Sequence, residues 1–359
     1  IENTGIGVED IYAFAEYLQT PFSENLSRIN LSSNPLITSA LSAFFKALCE
    51  SSCQSINTLF LEGISFSMNE INSLITWMLG GKAKKLKNLI LKSNLLDGEA
   101  FRLLLSAMIQ SDCPRLKVVD FSGNLIGNLD RERWKQLINS KGEYVNFEQV
   151  DYSFNPLTDN DMRLLLQFMS RFSHLEDSSR ITFCSNAITA KSIHWYFSSL
   201  MSVDSSLHYL AIDSCNLAGC GKSFYKFLTS PAASCLAVLL LRDCNLTRND
   251  LSSLCDAFEQ DTCVSLSYLQ LDGNSKVDDV FLSRFLETLS ENHLSNLTDI
   301  EFAYTSITVN GFKELLKYLK GHPYTLLSRI NFCKTKISTK ERNTYKTLVS
   351  SVFRGYFSV

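Results

Sequence analysis

Residues 26–36 read LSRINLSSNPL, and the pattern of this stretch returns along nearly the whole chain. Apolar residues stand at its first, fourth, sixth and eleventh places, and Asn34 stands at its ninth. The same eleven-place frame returns ten more times, starting at residues 56, 86, 116, 147, 178, 207, 236, 266, 297 and 327. The starts lie 29–31 residues apart, so the chain is a tandem repeat with one structural unit in each period.

Each frame predicts a short strand followed by a helix. Inside the frame, the fourth and sixth places alternate with other places, as expected for a strand that buries one face. After the frame, apolar residues recur three or four positions apart, which is helical spacing. Clear examples of that spacing are Phe101, Leu104, Leu105 and Met108, and Leu251, Leu254, Cys255 and Phe258. We expect the asparagine or cysteine at the ninth place to satisfy backbone groups where the chain leaves the strand.

This frame resembles the leucine-rich repeat, LxxLxLxxN/CxL, and its period is similar to that of the long, ribonuclease-inhibitor-like intracellular members. The resemblance implies an α/β leucine-rich repeat solenoid (horseshoe) of about 11 full repeats, with parallel strands on the concave face and helices on the convex face. No repeat buries its apolar face alone, so we expect one domain over residues 1–359. It would comprise a partial repeat at 1–25, the frames at 26–337, and a C-terminal helix and tail at 338–359.

Composition argues against several functional classes. The chain has 34 Lys+Arg against 37 Asp+Glu, and a net charge of −3 gives no general attraction for nucleic acid. No apolar run approaches the roughly 20 residues that a transmembrane helix needs. The 11 cysteines are scattered without a C-x-x-C pair, which favours a reducing, cytoplasmic setting. Because the first residue is Ile1 rather than Met, we expect a longer protein with flanking domains.

The sequence contains no recognisable catalytic, cofactor-binding or metal-binding constellation, so we do not expect an enzyme. The segment 219–223, GCGKS, is similar to the end of a phosphate-binding loop, but Asn216 stands where the leading glycine belongs. The segment also lies at an ordinary strand-to-helix turn, which favours a structural role. The histidines fall in different repeats without metal-ligand spacing. They are His174, His194, His208, His293 and His322.

Side chains that point outward from the strands form the candidate site. Alternation places the second, third, fifth, seventh and eighth places of each frame on the outer side of the sheet. In frames seven to ten these places combine tyrosines and aliphatic residues with mainly acidic charge, as in protein-binding hot spots. We therefore predict a protein partner with a basic segment, bound by Tyr209, Asp213, Val238, Leu240, Arg242, Tyr268, Asp272, Glu301 and Tyr304. A second, weaker cluster is Phe60, Ile90 and Val118.

Three functions are compatible with these repeats. The first is a non-catalytic protein-protein interaction scaffold, and the chain resembles the leucine-rich regions of CARMIL and tropomodulin-type actin regulators, which implies actin cytoskeleton regulation. The second is a GTPase activator resembling the Ran GTPase activators, although their acidic tail is absent and Arg28 is the nearest basic concave residue. The third is the sensor region of an innate immune receptor, because residues 239–247, LLLRDCNLT, look similar to repeats there. We predict the scaffold.

Overall fold

A computed structural model of the chain describes residues 4–34, 38–111, 113–143, 145, 147–172, 180–203, 207–323 and 325–358. Three residues of the predictions above, Leu36, His174 and Ser178, lie outside these described residues. The chain forms two compact units, Ile1–Ser178 (unit 1) and Ser179–Val359 (unit 2), and each unit is built from consecutive repeats. A single domain over residues 1–359 stays a prediction.

Unit 1 alternates short strands with helices. Its described strands are β1 (Arg28–Asn30), β2 (Thr58–Phe60), β3 (Asn88–Ile90), β4 (Val118–Asp120) and β5 (Gln149–Asp151). Its described helices are α1 (Val8–Leu18), α2 (Thr38–Glu50), α3 (Met68–Leu79), α4 (Gly98–Gln110), α5 (Arg131–Ile138) and α6 (Asp159–Phe172), with a 3-10 turn at Pro21–Ser23. Successive strands pair in parallel in chain order, and the register joins the same place of successive frames, such as Ile29 with Leu59.

Unit 2 continues the same alternation. Its described strands are β6 (Arg180–Thr182), β7 (Tyr209–Ala211), β8 (Val238–Leu240), β9 (Tyr268–Gln270), β10 (Asp299–Glu301), β11 (Arg329–Asn331) and β12 (Tyr356–Ser358). Its described helices are α7 (Ala190–Leu200), α8 (Gly221–Leu228), α9 (Arg248–Phe258), α10 (Asp279–Ser290), α11 (Val309–Gly321) and α12 (Thr339–Ser350), with a 3-10 turn at Pro231–Ala233. These strands also pair in parallel, each with the next along the chain.

The core of each unit lies between its sheet and its helices. The fourth and sixth places of every frame are buried, and so are the helix residues that the helical spacing marked on α4 and α9. In unit 1, the Phe101 ring meets Phe121 edge-on at 4.9 Å between centroids and lies 5.7 Å from the Trp134 ring. In unit 2, Phe302 stacks on Phe332 of the next repeat at 5.7 Å. The predicted strand-and-helix repeat is therefore confirmed. Apolar side chains of neighbouring repeats pack against one another and are buried together.

Buried asparagines at the ninth place join successive repeats. The Asn124 amide nitrogen donates to the carbonyl oxygens of Phe121 in its own repeat (2.8 Å) and Leu91 in the preceding one (3.1 Å). Its amide oxygen accepts the backbone N–H groups of Asn94 (2.9 Å) and Leu96 (3.0 Å). One side chain thus satisfies backbone groups on two repeats at once, as the sequence pattern predicted.

The same bonding recurs along both units with different side chains. Asn155 and Asn274 each donate to three carbonyls, one of them in the preceding repeat. The thiols of Cys215 and Cys244 donate to carbonyl oxygens of the preceding repeat, Phe183 and Ile212, at 3.3 and 3.1 Å. A cysteine at the ninth place therefore makes the same hydrogen bond to the preceding repeat as an asparagine does.

A left-handed residue ends the strand of every frame. The eighth place has a φ between 54° and 69° throughout. These residues are Ser33, Gly63, Ser93, Gly123, Phe154, Ser185, Ser214, Asp243, Gly273, Tyr304 and Lys334. Sequence analysis did not predict this turn, because most of the residues are not glycine, the usual signal for positive φ.

The tail that sequence analysis placed after the last helix contains a further strand. Phe357 of β12 pairs with Ile330 of β11, and its ring lies 5.9 Å from that of Phe312. Residues 354–358 therefore begin a twelfth frame, with Arg354 at its first place. Because Arg354 is not apolar, the sequence pattern did not predict this frame. Residues 338–358 therefore contain a helix followed by a strand of the same sheet.

We expect Asn124→Ala to destabilise unit 1. The substitution leaves buried N–H and C=O groups of two repeats without partners, at a cost of about 2–4 kcal/mol in the free energy of unfolding. Urea unfolding followed by circular dichroism measures the loss. Hydrogen exchange should also accelerate at the Asn94 and Leu96 amides, which donate to the Asn124 side chain.

The matched control is Asn72→Ala, on the exposed face of α3. It removes an asparagine that does not join repeats, and it should change the free energy of unfolding by less than about 0.5 kcal/mol. Equal stability of the two variants would show that the ninth-place amide does not hold the repeats together.

Candidate protein-interaction surface

The nine predicted partner-binding residues all belong to unit 2, on or directly after strands β7 to β10. Parallel pairing in register sets equivalent places side by side, so Tyr209 pairs with Val238, and Val238 with Tyr268. The fifth place ends each of these strands, and the seventh and eighth places follow in the loop directly after it. We call this surface, formed by the nine residues, the open face of unit 2.

The accessible part of the open face is apolar at its centre and polar at the ends of its strands. Tyr304 is 66% exposed, and its left-handed backbone N–H donates to the Cys333 carbonyl at 2.9 Å. The Arg242 side chain is half exposed, with Nε 3.8 Å from Oδ2 of Asp243. Val238 and Leu240 on β8 are half-buried, and so are Tyr209 on β7 and Tyr268 on β9. These side chains are the ones that a partner can reach.

Two of the predicted carboxylates are buried and bound to the backbone. Oδ1 of Asp213 accepts the N–H of Arg242 at 2.8 Å, and Oδ1 of Asp272 accepts the N–H of Ala303 at 2.6 Å. Each seventh-place aspartate thus binds the end of its strand to the next repeat. Burial raises the pKa of both carboxyls above the ordinary value. Sequence analysis expected the side chains of Asp213 and Asp272 to face solvent, whereas the structure buries both.

Glu301 is the third buried carboxylate, and it is the centre of a polar network. Its Oε1 lies 3.3 Å from the Arg329 guanidinium, and its Oε2 lies 3.5 Å from the side-chain nitrogen of Gln270, which also donates to Asp272 at 2.7 Å. Burial raises the pKa of Tyr268, and the charge and hydrogen bond of Glu301 raise it further. The Tyr268 hydroxyl therefore stays protonated and points its hydrogen bond at Glu301.

Sequence analysis missed the two arginines beside the predicted residues. Arg180 on β6 places its guanidinium carbon 4.1 Å from the centroid of the Tyr209 ring. Arg329 on β11 pairs with Glu301 from the other side. Both arginines stand at the third place of their frames. In the register of the sheet Arg180 pairs with Tyr209 and Arg329 with Asp299, and comparing the third places of neighbouring frames would have predicted these contacts.

The glycine-rich segment at 219–223 has a structural role. The N–H groups of Gly219 and Gly221 donate to the two carboxylate oxygens of Asp250, at 2.9 and 2.6 Å. Asp250 is buried in the first turn of α9, where its carboxylate also accepts the N–H of Thr247. A carboxylate of the next repeat thus holds the N–H groups that a phosphate would need.

The part of the chain that the structure describes contains neither a metal-binding cluster nor a membrane-spanning helix. No group of histidine, cysteine, aspartate and glutamate side chains there is arranged to hold a metal ion. Within the same residues, no helix combines the length and the apolar character required to cross a bilayer. Arg28, considered for a GTPase activator, lies with its guanidinium carbon 4.6 Å from the centroid of the Phe60 ring.

Comparison with known proteins places the fold in the leucine-rich repeat class. No protein-family model matches the sequence, and no curated protein does. Among solved structures, an internalin, InlF, from Listeria monocytogenes aligns over 93% of this chain and 80% of its own, with 14% identity and a TM-score of 0.50. At this identity the likeness shows the fold alone.

Two other solved structures align with lower scores. A chain of the yeast Rad7 and Elc1 complex covers 84% of this chain and 81% of its own, with 16% identity and a TM-score of 0.39. The plant peptide hormone receptor RGFR1, in complex with RGF2, covers 94% of this chain and 52% of its own, with 15% identity and a TM-score of 0.43.

We expect Asp213→Asn to change how the stability of unit 2 depends on pH. The folded-state pKa of Asp213 is raised above its ordinary value of 3.8, so the folded chain holds a proton that the unfolded chain has lost within that window. The wild type therefore gains stability as the pH falls from above the raised pKa, and the gain is complete below 3.8. Asparagine does not titrate. Urea unfolding at about pH 7 and about pH 4 measures the free energy of unfolding of both proteins. Relative to Asp213→Asn, the wild type should be more stable at about pH 4 than at about pH 7.

Val280→Ser, an exposed neutral substitution on α10, is the control, since its difference from the wild type should not depend on pH. A difference between Asp213→Asn and the wild type that is the same at both pH values would contradict the raised pKa.

Proposed function

We propose that this chain is a non-catalytic scaffold that binds a protein partner through the open face of unit 2. The observation that carries the proposal is the row of Tyr209, Val238 and Tyr268, which are half-buried and paired in register on three neighbouring strands, with the exposed Tyr304 after β10. Tyrosine and arginine are enriched among the few residues that supply most of the binding energy at protein interfaces. A rigid surface loses little conformational entropy when it binds.

The loops at the ends of the strands support this preorganisation. Asp213 and Asp272 hold the loops through backbone hydrogen bonds, as described above. Gly273 leaves room for its neighbour, because a Cβ at that position would come within 1.7 Å of Oδ1 of Asp243. A side chain at position 273 would therefore displace Asp243, whereas glycine lets Asp243 keep its place 3.8 Å from Arg242.

The partner that we propose carries a basic segment. Asp213 and Asp272 have raised pKa values because burial removes them from water without a full balance of positive charge. A lysine or arginine of the partner that contacts the exposed Asp243 would supply part of that balance, because the charge of Asp243 acts on Asp213. The exposed Asp243 adds negative charge to the same loops.

The cellular setting that we propose is regulation of the actin cytoskeleton in the cytoplasm, with flanking domains beyond the repeats. Its support is the resemblance of the 29–31-residue, ribonuclease-inhibitor-like repeats to the leucine-rich regions of CARMIL and tropomodulin-type regulators. The repeat period is all that carries this part of the proposal. It therefore needs its own test, separate from that of the scaffold.

The test uses a variant built from the chain's own repeats, Leu240→Asn/Arg242→Ser/Tyr304→Ser. Frames one and eleven have Asn30 and Asn331 at the fifth place, and serine is common at the seventh and eighth places, so the fold should tolerate all three changes. Immobilised wild-type chain and variant are incubated with lysate of the source cell, and the bound proteins are quantified. We expect at least one partner to fall by roughly tenfold or more with the variant, which corresponds to about 1.4 kcal/mol.

Val280→Ser is again the control, because it removes an exposed apolar residue from a helix of the same unit. It should retain every partner. Equal capture by all three proteins would contradict binding at the open face. A partner that is lost but is neither an actin-binding nor an actin-regulating protein would contradict the cytoskeletal setting and leave the scaffold proposal standing.

A further inference from the structure

We propose that unit 1 carries a second, independent binding surface for a protein segment in which a basic residue stands next to apolar side chains. The surface consists of Leu95, Leu125 and Phe154, in the loops after β3, β4 and β5, with Asp120 and Asp151 at the ends of β4 and β5. We call it the rim patch. It shares no residue with the open face of unit 2, so it does not depend on the function proposed for that face.

Large apolar side chains in three consecutive repeats are exposed at the rim patch. Leu95 is 60% exposed, Leu125 is 54% exposed and Phe154 is 61% exposed. The loops that carry Leu95 and Leu125 are adjacent, because the Leu125 N–H donates to the Leu96 carbonyl at 2.9 Å. A single exposed leucine needs no explanation, but apolar residues in successive loops form a patch of the kind that marks an interaction site.

Two of these residues adopt a backbone conformation that is unfavourable for them. Leu95 has a φ of 59° and Phe154 a φ of 57°, in the left-handed region. The fold does not require apolar residues there. At the place of Leu95, frame eight has Asn245 with a φ of 52°, and at the place of Phe154 other frames have serine or glycine, such as Ser93. Strain that the fold does not need is typical of functional sites.

The loops beneath the rim patch are packed too closely to rearrange. A Cβ on Gly98 would lie 2.7 Å from the Gly127 carbonyl oxygen, and a Cβ on Gly127 would lie 2.7 Å from the carbonyl oxygen of Pro156. The three loops thus stack backbone on backbone. The apolar side chains are therefore presented by a preformed surface, which lowers the entropic cost of binding.

The charge beside the patch indicates what binds there. Asp120 and Asp151 are directly paired in the register of β4 and β5, and like charges at such positions destabilise a sheet. Each carboxylate accepts a backbone N–H two residues further on, at 2.8 Å. Asn30 and Asn331 make the same bond, at 3.0 Å, without a charge.

Phe60, Ile90 and Leu240 stand at the fifth place of other frames without a side-chain oxygen. The local structure therefore does not need the negative charge of Asp120 and Asp151. Burial, and then the charge of Asp151, raise the pKa of Asp120, as expected for carboxylates without enough positive charge nearby. Ile90 adjoins Asp120 in the register of β3 and β4, so an apolar side chain and a carboxylate are neighbours on this surface. A basic residue followed by apolar ones is complementary to that arrangement.

Random peptides displayed on phage, selected on the full chain, test the proposal. Two variants replace the patch with residues from equivalent places of other frames, Leu95→Asn/Leu125→Ser/Phe154→Ser and Asp120→Asn/Asp151→Asn. We expect selected peptides to carry lysine or arginine beside apolar residues. Synthetic copies of these peptides, measured by fluorescence polarisation, should bind each variant roughly tenfold more weakly or worse. Neither variant should lower the thermal midpoint, because each removes strain or repulsion.

Leu240→Asn/Arg242→Ser/Tyr304→Ser is the control for location, and it should bind the selected peptides as the wild type does. The proposal is overturned if no selected peptide distinguishes the wild type from either patch variant, or if the peptides that do are acidic. Sedimentation gives a further decisive result, since a wild-type dimer that the apolar variant abolishes would assign the patch to a second copy of the chain. If the apolar variant does not fold, the aspartate variant alone decides.

Discussion

The bonding of a buried side chain at the ninth place is the constraint on which the rest of the structure depends. A short strand leaves unpaired carbonyl and N–H groups where the chain turns away, and inside a stacked solenoid these groups cannot reach water. An amide has both donors and acceptors, so it satisfies two repeats together. Frame two shows this, because its ninth residue, Ile64, has no polar side chain. Asn94 of the next frame accepts the Ile64 N–H and donates to the Leu61 carbonyl, so one amide serves both frames.

Fixing the ninth place also fixes the positions before it. The eighth residue must turn into the left-handed region, and the seventh lies where its side chain can accept a backbone N–H of the next repeat, as Asp213 and Asp272 do. The third and fifth places remain on the outer side of the sheet, where the fold makes few demands. Sequence can therefore vary there, and each candidate surface includes residues of these places, Val238 and Leu240 in the open face and Asp120 and Asp151 in the rim patch.

The period, the inward places and the ninth-place role were predictable because they depend on residue type alone. The burial of Asp213 and Asp272 was not, since alternation says which side of a strand a residue faces but not whether a neighbouring loop covers it. Contacts of Arg180 and Arg329 depend on the adjacent frame, and a search confined to single frames overlooks them. The strand of β12 was missed because Arg354 breaks the apolar pattern at one place.

Repeats also provide an internal reference for what the fold requires. Where serine and glycine serve at the eighth place in most frames, an aromatic residue is an addition that stability does not explain. Such a residue occurs once in each unit, Phe154 with a φ of 57° and Tyr304 with a φ of 56°, and both rings are largely exposed. Each ring stands on a left-handed residue directly before a buried ninth-place side chain, Asn155 or Thr305. The same constraint that closes the repeat therefore fixes the most exposed aromatic side chain of each candidate surface.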